Sequence, residues 1–551
     1  MTTTSTTPDA PGAATGPPAA DMSAADMPAA GRSVAAGADG PTGGHAGARA
    51  GARPGARSGG RLGSPEGWPV YRQLIGGAWS DAHGGGRFPD RSPYTGDVIA
   101  SVPASTASDM RRAIIVADQA APGWAASRPV QRQEILLRAA NIVTRREPEI
   151  RALLAAETGC AAAFAGFQVE QAVALLRQAA DWPYRAGGEV IASDTPGVRA
   201  VAERRPVGVV GSFTPWNGAF VLAFRGVVNP LVWGNTVVVK PSEYAPICAG
   251  LLPAEILTEA GLPDGVVNVV THAPGDADDV AGPLLASPEI ACINFTGSSA
   301  TGAHLAGRAG AALKRTVMEL GGRNTLVVLD DADLGQAVDA AAWSAWLHQG
   351  QICMSATEIL VQRPLYDAVC TGLADRAGQL RAGDPAVPDT DIGPLIHPAA
   401  RERVAAAVID AVASGARLLA GGRTDGTCYL PTVLTDVPDG VLLDREEVFG
   451  PVIAVRPFDT AADAVARINT SRYGLTCGVI GGQVRAEAVA RRVRCGCVHV
   501  GGSTIADEPQ MPLGGVKASG WGRSGPHSVE DFTALRWLTV RATDGPEFPL
   551  R

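Results

Sequence analysis

Residues 236–243 read TVVVKPSE, a short β-branched run that ends in a lysine and a glutamate. Three similar runs lie in the same part of the chain, namely VGVV at 207–210, VVNVV at 266–270 and ACINF at 291–295. Helical patterns separate the runs, and short apolar runs of this kind are typical of buried parallel strands. We therefore predict an α/β sheet of the nucleotide-binding type from Pro206 onward.

A second set of apolar runs follows Glu319. It includes LVVL at 326–329 and EILV at 358–361. We expect a second α/β unit to begin near Glu319 and to carry Cys353, so that the reactive residues lie between the two units. The run LRWLTV at 535–540 predicts a strand whose free edge needs a neighbour, either in this chain or in another subunit.

The first 65 residues have a composition that disfavours folding. They consist mostly of Ala, Gly, Pro, Ser, Thr and Arg and contain no aromatic residue, so they cannot bury enough apolar surface to offset chain entropy. We predict a disordered tail without the features of a secretory signal, and order that begins near Trp68. The first elements are expected to be a strand at 98–102, a helix capped by Ser108 and Asp109 that runs to Ala121, and a helix around 135–142.

The bulk composition excludes several classes of partner. Hydrophobic residues make up 46% of the 551 residues and the formal net charge is -8, which provides no basic surface for nucleic acid or a membrane. No apolar run is long enough to span a bilayer. The nine cysteines are odd in number and scattered, as is typical of reduced thiols in the cytoplasm. Cys495-Gly496-Cys497 is compatible with a redox pair or metal ligands, but no cluster with zinc spacing accompanies it, and no metal is predicted.

The run HQGQICMS at 348–355 contains the candidate nucleophile, Cys353. Its thiol lies between a Gly-containing turn and a Met-Ser pair, and no second cysteine is near, which favours reactivity over pairing or metal binding. A thiol reacts as the thiolate, and an unperturbed pKa of about 8.5 leaves only a few per cent ionised at neutral pH. Other groups must therefore assist it. The alternative is a small buried apolar residue.

Two groups elsewhere in the sequence are suited to assist Cys353. Glu319, in ELGG at 319–322, precedes glycines that allow close backbone approach, and it can take a proton from the thiol or from an attacking water. Asn217, in FTPWN at 213–217, can join the Cys353 backbone N–H in binding an oxyanion. The alternatives are a salt-bridged loop acid for Glu319 and a helix N-cap for Asn217.

Two patterns between these groups suit a dinucleotide. Lys240 and Glu243 follow a central strand, where a carboxylate can accept hydrogen bonds from ribose hydroxyls and an ammonium can reach the sugar or phosphate. The glycines of TGSSATG at 296–302 allow a pyrophosphate to approach a helix N-terminus. The carboxylate favours NAD, because it would repel the 2′-phosphate of NADP. The alternative is a surface lysine and glutamate, and the glycine spacing differs from G-x-G-x-x-G.

Seven motifs follow one another along the chain: FTPWN at 213–217, 234–243, FTGS at 295–298, ELGG at 319–322, QGQIC at 349–353, EEVFGP at 446–451 and PLGG at 512–515. In these motifs, and over about residues 68–541, the chain resembles the aldehyde dehydrogenases. The resemblance implies an α/β fold with a Rossmann-type cofactor domain, an α/β catalytic domain and a small β oligomerisation arm.

The resemblance also divides the chain. It implies an NAD-binding domain at 66–185 and 206–318, a catalytic domain at 319–518, and an oligomerisation arm with a C-terminal segment at 186–205 and 519–551, all after the disordered tail at 1–65. Aldehyde dehydrogenases form dimers or tetramers through such an arm. We therefore expect a homodimer or a homotetramer.

The chemistry implied by the resemblance begins at Cys353, which adds to an aldehyde while Asn217 and the Cys353 N–H hold the oxyanion. A hydride passes to the nicotinamide, and Glu319 activates the water that releases a carboxylic acid. Members that transfer the acyl group to CoA often lack this glutamate, so hydrolysis is expected. The cofactor is NAD, with NADP as the alternative. Its contacts are assigned to Thr214, Trp216, Lys240, Ser242, Glu243, Gly297, Ser298, Gly302, Glu447 and Phe449.

The residues around Cys353 and at 506–512 resemble most the benzaldehyde, vanillin and salicylaldehyde dehydrogenases, so the expected substrate is a small aromatic aldehyde. The predicted pocket residues are Leu222, Arg225, Leu347, Met354 and Leu513. The apolar ones can sandwich a ring, and the arginine either orients a polar substituent or pairs with a carboxylate.

The sequence departs from the family pattern at three positions, Arg323, Leu513 and Gly501, where Lys, an aromatic residue and Asn are usual. The last two lie near the substrate and leave the exact aldehyde open. The alternatives are the same chemistry on an aliphatic aldehyde or semialdehyde, and a catalytically silent member that binds nucleotide or serves as a structural protein.

Overall fold

The computed structural model describes residues 61–63, 67–185 and 187–541. The tail predicted for residues 1–65 lies outside the described residues except at its end. There, Arg61–Gly63 is a strand that pairs antiparallel with Pro69–Tyr71. The prediction that order begins near Trp68 is therefore wrong by one strand. A strand at a sheet edge is held by backbone hydrogen bonds, which leave no apolar signal in the sequence.

The first part of the chain opens with six strands and four helices and alternates between strands and helices from β9 onward. In order, its elements are β1 Arg61–Gly63, β2 Pro69–Tyr71, β3 Gln73–Ile75, β4 Ala78–Ser80, β5 Arg87–Arg91, β6 Val98–Pro103, α1 Ala107–Ala125, α2 Pro129–Arg145, α3 Glu147–Thr158, α4 Ala162–Ala179, β7 Glu189–Ile191, β8 Val198–Pro206, β9 Val209–Thr214, α5 Ala219–Val232, β10 Thr236–Pro241, α6 Leu252–Glu259, β11 Val267–Val269, α7 Ala277–Ala286, β12 Ile290–Gly297, α8 Ser299–Ala311 and β13 Arg315–Leu320.

The second part continues the alternation. Its elements are β14 Asn324–Val328, α9 Leu334–Trp346, β15 Ala356–Gln362, α10 Tyr366–Gln379, α11 Pro398–Ala413, β16 Arg417–Ala420, β17 Thr424–Asp425, β18 Cys428–Tyr429, β19 Thr432–Thr435, α12 Leu442–Arg445, β20 Val452–Phe458, α13 Ala461–Thr470, β21 Thr476–Ile480, α14 Gln483–Ala490, β22 Cys497–Val500, β23 Gly520–Trp521, α15 Val529–Phe532 and β24 Thr533–Arg541.

The first sheet has the strand order β23-β13-β12-β9-β10-β11-β3-β4. The predicted strands at 207–210, 236–239, 266–270 and 291–295 correspond to β9–β12, which pair in parallel. Phe295 lies opposite Phe213, and Thr296 lies opposite Glu319. Because the carboxyl ends of parallel strands meet at one edge of the sheet, residues that follow β9, β12 and β13 are brought together.

The second sheet has the order β16-β19-β20-β15-β14-β21-β22. The predicted strands at 326–329 and 358–361 correspond to β14 and β15, which are parallel neighbours. The chain leaves the first sheet after Leu320 and enters the second at Asn324. Glu319 therefore lies on the first sheet, whereas Cys353 precedes β15 of the second.

A three-stranded sheet has the order β24-β8-β7, and two further sheets have the orders β1-β2-β6-β5 and β17-β18. The strand predicted at 535–540 is confirmed, and its neighbour is in the same chain, with Trp537 opposite Ala202. No strand of the described chain pairs with the other edge of β24. Its side chains are largely exposed, Trp537 by 80%.

Helix α1 begins earlier and ends later than the sequence predicted. Its N-cap is Thr106, not Ser108, because the Thr106 side chain accepts from the Ser108 N–H while Asp109 accepts from the Thr106 N–H at 3.0 Å. This reciprocal pair is a capping box. The helix continues past the predicted end at Ala121 to Ala125.

Among the described residues, no helix is long and apolar enough to cross a membrane, and no group of His, Cys, Asp or Glu could hold a metal ion.

Candidate active site

The loop before Cys353 is strained. His348 and Gln349 have φ values of 49° and 56°, and Gly350 continues in the left-handed region with φ 69°. Such a conformation costs a non-glycine residue about 1–3 kcal/mol and persists only where surrounding contacts impose it. Here the Gln349 amide donates to the Gly159 and Pro394 carbonyls at 2.9 and 3.1 Å. The His348 ring stacks on Phe164 with centroids 4.7 Å apart.

Two cavities meet at Cys353. One, with about 610 Å³ of empty space, is lined mainly by apolar side chains and is called the apolar cavity below. The other, with about 990 Å³, is called the polar cavity. Asn217, Thr296, Glu319 and Cys353 line both. The structure therefore brings the three predicted catalytic residues together at the junction of the cavities.

The Cys353 thiol is held in its neutral form. Burial raises its pKa to about 12, and the nearby acids Glu447 and Glu319 add to this effect, while Arg225 opposes it. The peptide is fixed as well, since the Asn324 amide donates to the Cys353 carbonyl at 2.7 Å. The sulfur needs a base to become a nucleophile.

Glu319 is positioned to serve as that base. It lies at the end of β13, where Ser524 Oγ donates to Glu319 Oε1 at 3.0 Å. Burial raises the pKa of Glu319, while the charge of Arg225 and the Ser524 hydrogen bond lower it. Burial is the largest of these effects, so the pKa of Glu319 lies above its ordinary value, as is common for carboxyl groups that act as general bases. Glu319 lies on β13, and not in a loop as in the alternative of a salt-bridged loop acid.

Asn217 lies in the loop between β9 and α5. The side chain is 6% exposed and lines both cavities. The alternative of an N-cap is wrong, because Gly218 occupies that position of α5 and makes no side-chain cap. The helix start is held instead by Gln168, whose side chain accepts from the Phe220 N–H at 3.1 Å. The Asn217 amide is therefore available to the cavities rather than committed to the helix.

Five of the predicted cofactor residues line the polar cavity: Trp216, Gly297, Ser298, Glu447 and Phe449. The rings of Trp216 and Phe449 meet edge to face with centroids 5.5 Å apart. Glu447 accepts from the Gly322 N–H at 3.3 Å. Burial raises the pKa of Glu447 to about 8, so at neutral pH this acid can both donate and accept hydrogen bonds.

The other five line neither cavity. Ser242 donates its N–H to the Thr214 carbonyl at 2.9 Å, and the Thr214 hydroxyl donates to the Ala249 carbonyl at 2.6 Å. Gly302 packs against Leu320, and a Cβ at this position would lie 2.4 Å from Leu320 Cδ2 and would force that side chain to shift.

Lys240 and Glu243 converge on His272, which the sequence analysis did not identify. Lys240 Nζ is 2.6 Å from His272 Nε2, and Glu243 is 3.7 Å from the same nitrogen. Burial lowers the pKa of Lys240 to about 8. The next residue, Tyr244, packs its ring 4.8 Å from His397, a residue that lines the polar cavity. The pair thus lies beside the cavity rather than within it.

The apolar cavity contains most of the predicted substrate residues. Leu222, Arg225, Met354 and Leu513 line it, but Leu347 does not and packs against the hydrophobic core instead. Leu347 directly precedes His348, where the backbone enters the left-handed region. Arg225 pairs with Asp507 through Nη2 and Oδ2, 2.5 Å apart. Of the two roles predicted for Arg225, pairing with a carboxylate is the one observed.

Several lining residues were missed by sequence reasoning. In the apolar cavity they include Phe164 and Phe167 of α4, whose rings stack at 5.7 Å, and in the polar cavity His397 and Arg403. The two phenylalanines are three residues apart on a helix, a spacing that places them on one face. That spacing was the available signal, but it does not distinguish a pocket wall from core packing.

A model of the aldehyde dehydrogenase family matches residues 79–538. The chain belongs to the aldehyde dehydrogenase family. It is 43% identical over 475 residues to vanillin dehydrogenase of Pseudomonas fluorescens, with 86% of this chain and 98% of the relative covered. It is 38% identical over 470 residues to salicylaldehyde dehydrogenase of Pseudomonas sp. (strain C18), with 85% and 97% covered.

A solved structure supports the same assignment. Salicylaldehyde dehydrogenase of Pseudomonas putida G7, complexed with salicylaldehyde, matches with a TM-score of 0.85 and 36% identity, over 87% of this chain and 99% of that one. The predicted family and the α/β fold are thereby confirmed. As an aldehyde dehydrogenase, the protein is an enzyme that acts on small-molecule aldehydes with a nicotinamide cofactor.

Proposed function

We propose that this aldehyde dehydrogenase oxidises an aromatic aldehyde to the carboxylic acid with NAD. The observation that carries the proposal is the position of Cys353, which with Asn217 and Glu319 lines both the apolar cavity and the polar cavity. A thiol at such a junction can bind an aldehyde from one side while a cofactor is held on the other.

The residues of the polar cavity fit a dinucleotide. The Glu447 carboxyl packs against the backbone of Gly321 at the cavity wall. The contact is so close that a Cβ on Gly321 would lie 2.0 Å from Glu447 Oε2. Its carboxyl can bond ribose hydroxyls, and Trp216 and Phe449 supply aromatic walls for a ring. Gly297 and Ser298 lead into α8, whose N-terminal N–H groups suit a phosphate. When bound, the cofactor supplies a hydride acceptor.

The addition step uses three groups of this chain. Glu319 takes the proton of the Cys353 thiol, and the sulfur then forms a bond to the aldehyde carbon. The carbonyl oxygen becomes an oxyanion, which the Asn217 amide and the Cys353 N–H stabilise by hydrogen bonds. After oxidation the substrate remains as a thioester on Cys353.

Release of the acid uses Glu319 a second time. After Glu319 has released the thiol proton to solvent, its carboxylate removes a proton from water, and the resulting hydroxide equivalent attacks the thioester carbon. The C–S bond breaks, the thiolate leaves, and the carboxylic acid is formed. Ser524 holds Glu319 at 3.0 Å, which keeps the base in place through both steps.

An aromatic substrate is supported by the cavity walls and by the relatives. Phe164, Phe167, Leu222 and Leu513 present flat or branched apolar surfaces suited to a ring. The relatives described above are named for vanillin and salicylaldehyde. A semialdehyde fits less well, because its carboxylate would approach Arg225 only beside the carboxylate of Asp507.

The preference for NAD is proposed from Glu243. This carboxylate and Lys240 follow β10 of the first sheet, which we infer to be the core of the cofactor domain, with the second sheet as the core of the catalytic domain. A ribose with free hydroxyls can bond Glu243, whereas a 2′-phosphate would be repelled by it. His272, between the two residues, limits how far either can turn away.

The test is a panel of aldehyde substrates, in which turnover is measured as the formation of reduced dinucleotide. We expect kcat/KM to be highest for benzaldehyde and vanillin, lower for hexanal, lowest for succinate semialdehyde, and higher with NAD than with NADP. Cys353→Ala should abolish turnover, while Cys370→Ala serves as the control for a cysteine outside both cavities. A preference for hexanal or the semialdehyde would contradict the aromatic assignment.

For assembly, we propose a homodimer or homotetramer joined through the sheet β24-β8-β7. Trp537, Leu535 and Val190 are exposed by 80%, 61% and 76% in the single chain, a concentration of apolar surface that a partner would cover. Trp537→Lys should lower the oligomeric mass measured by light scattering, whereas Val484→Lys on α14 should not. Unchanged mass in both variants would contradict this role of the arm.

We further propose a cytoplasmic location. The nine cysteines are all free, which suits a reducing compartment. Cell fractionation should find the activity in the cytoplasm; recovery with secreted protein would contradict the proposal.

A further inference from the structure

The carboxylate of Asp507 has one oxygen in use and one without a partner. Oδ2 lies 2.5 Å from Arg225 Nη2, and the Arg225 and Asp507 side chains are only 7% and 4% exposed. Oδ1 is buried and accepts no hydrogen bond from any residue in the described part of the chain. A buried charged oxygen without a donor is costly, and such an atom in a binding cavity usually meets a donor on the ligand.

Asp507 is part of the wall of the apolar cavity. The charged side chains among the described residues that line this cavity are Arg225, Glu319 and Asp507. Glu319 is engaged by Ser524 and has its role in the chemistry, and Arg225 faces Oδ2. The rest of the wall is mostly apolar. Among the charged side chains of this cavity, Asp507 therefore offers a polar ring substituent a carboxylate oxygen that neither the proposed chemistry nor a neighbouring donor uses.

The loop that carries Asp507 is held close to the nucleophile. Thr504 Oγ1 donates to the Met354 carbonyl at 2.7 Å, and the Thr504 N–H donates to Ser344 Oγ at 3.0 Å. Met354 follows Cys353 directly in the chain. These contacts fix the carboxylate relative to the reacting sulfur, as a specificity-determining group requires.

We propose that Asp507 Oδ1 accepts a hydrogen bond from a hydroxyl group on the ring of the substrate, which makes hydroxybenzaldehydes the preferred aldehydes. The proposal rests on the proposed function, because it names the substrate class of the same site. It distinguishes a ring hydroxyl, which donates, from a methoxy group, which only accepts and would face the carboxylate oxygen unfavourably.

A purely structural role predicts something different. If Asp507 only neutralised Arg225 and held its loop, a substitution would change turnover of all aromatic aldehydes by the same factor. The measured quantity is therefore a ratio within one protein, the kcat/KM for a hydroxybenzaldehyde divided by that for the corresponding methoxybenzaldehyde. A general loss of activity cancels in this ratio.

The first experiment uses the unaltered enzyme. The ortho, meta and para hydroxybenzaldehydes, their methyl ethers and benzaldehyde are compared with NAD, at a pH below the phenol pKa of each substrate so that the hydroxyl carries its proton. We expect the ratio to be about tenfold to a hundredfold for the isomer whose hydroxyl reaches Oδ1, the range supplied by a hydrogen bond to a charged group. Ratios near one for all three isomers would overturn the inference.

The second experiment uses variants. Asp507→Asn and Asp507→Ser should bring the ratio of the preferred isomer to within about threefold of one, because neither presents a charged acceptor to the hydroxyl. Glu508→Gln, an exposed acid in the same loop, is the matched control and should keep the ratio of the unaltered enzyme. A ratio that survives in either Asp507 variant would overturn the inference.

The two proposals fail differently. Turnover of benzaldehyde without any preference for a hydroxyl would remove only the role of Asp507. Absence of turnover with every aromatic aldehyde, while hexanal is oxidised, would overturn the proposed function and this inference with it.

Discussion

Ser524 Oγ donates a hydrogen bond of 3.0 Å to Glu319 Oε1 across 205 positions of sequence. Ser524 is itself buried, with 4% of its surface exposed, and the Asn229 amide donates to its oxygen at 3.4 Å. The proposed base is therefore held by a residue that belongs to none of the motifs. This contact makes the protonation of Glu319 depend on a distant part of the chain.

Ser524→Ala is expected to move the acid limb of the pH profile to higher pH. The Ser524 bond lowers the pKa of Glu319, so its loss raises that pKa, and the ionised base is then present only at higher pH. The measurement is kcat/KM against pH. Ser524→Thr retains a hydroxyl and should keep the original limb. Identical limbs in all three proteins would show that Ser524 does not influence the base.

Glu319→Gln is expected to lower steady-state kcat by about 10²–10⁴-fold, the usual contribution of a general base. Because Glu319 also takes the proton of the Cys353 thiol, formation of the thioester should slow as well, so the first turnover should produce reduced dinucleotide more slowly than in the unaltered enzyme. Rapid-mixing kinetics measure the first turnover and the steady state. Steady-state turnover equal to that of the unaltered enzyme would exclude Glu319 as the base that activates water.

Gly321→Ala is expected to raise the KM for NAD roughly tenfold, which is the change in affinity expected when one good hydrogen bond to the cofactor is lost. A Cβ at this position would lie 2.0 Å from Glu447 Oε2 and would displace the carboxyl from the polar cavity. Gly307→Ala is the control, because a Cβ on Gly307 of α8 meets nothing within 4 Å. Equal KM values in the two variants would contradict the role proposed for Glu447.

Asp90→Asn is expected to stabilise the protein increasingly as the pH rises. Asp90 is 3% exposed, and burial together with the neighbouring Glu157 raises its pKa well above the usual value. Between the unfolded pKa of about 4 and the raised folded pKa, the native protein binds a proton that the unfolded chain has released, so stability falls as pH increases. An Asn side chain has nearly the same shape as the protonated Asp90 side chain, but it does not need to take up a proton when the protein folds.

The measurement for Asp90 is the free energy of urea unfolding over a series of pH values. The difference between Asp90→Asn and the unaltered protein should grow by up to about 1.4 kcal/mol per pH unit above about pH 4. Asp118→Asn, at an exposed position of α1, should show no such growth. A constant difference for Asp90→Asn would contradict the shift of its pKa.

Local sequence patterns predicted the elements with a strong apolar signal and failed where other forces act. The runs at 236–239 and 291–295 became β10 and β12, because continuous apolar side chains are stable in a strand covered on both faces. The edge strand Arg61–Gly63 was missed, since backbone pairing leaves no such pattern. Leu347 does not line the cavity but packs against the hydrophobic core, since contacts between distant segments, and not the neighbouring motif, decide which side of the loop faces the cavity.

Residue types and local periodicity were enough to identify the available chemical groups, a thiol at Cys353, an acid at Glu319 and an amide at Asn217, together with the succession of strands and helices. Long-range contacts bring Cys353, which precedes a strand of the second sheet, to the other two groups on the first sheet. Such contacts also tune the site, through Ser524 on Glu319 and Asp507 beside Arg225. Residue identity and local periodicity are properties of neighbouring positions, whereas burial, pairing and unpaired oxygens arise from contacts between segments hundreds of residues apart, which no local pattern encodes.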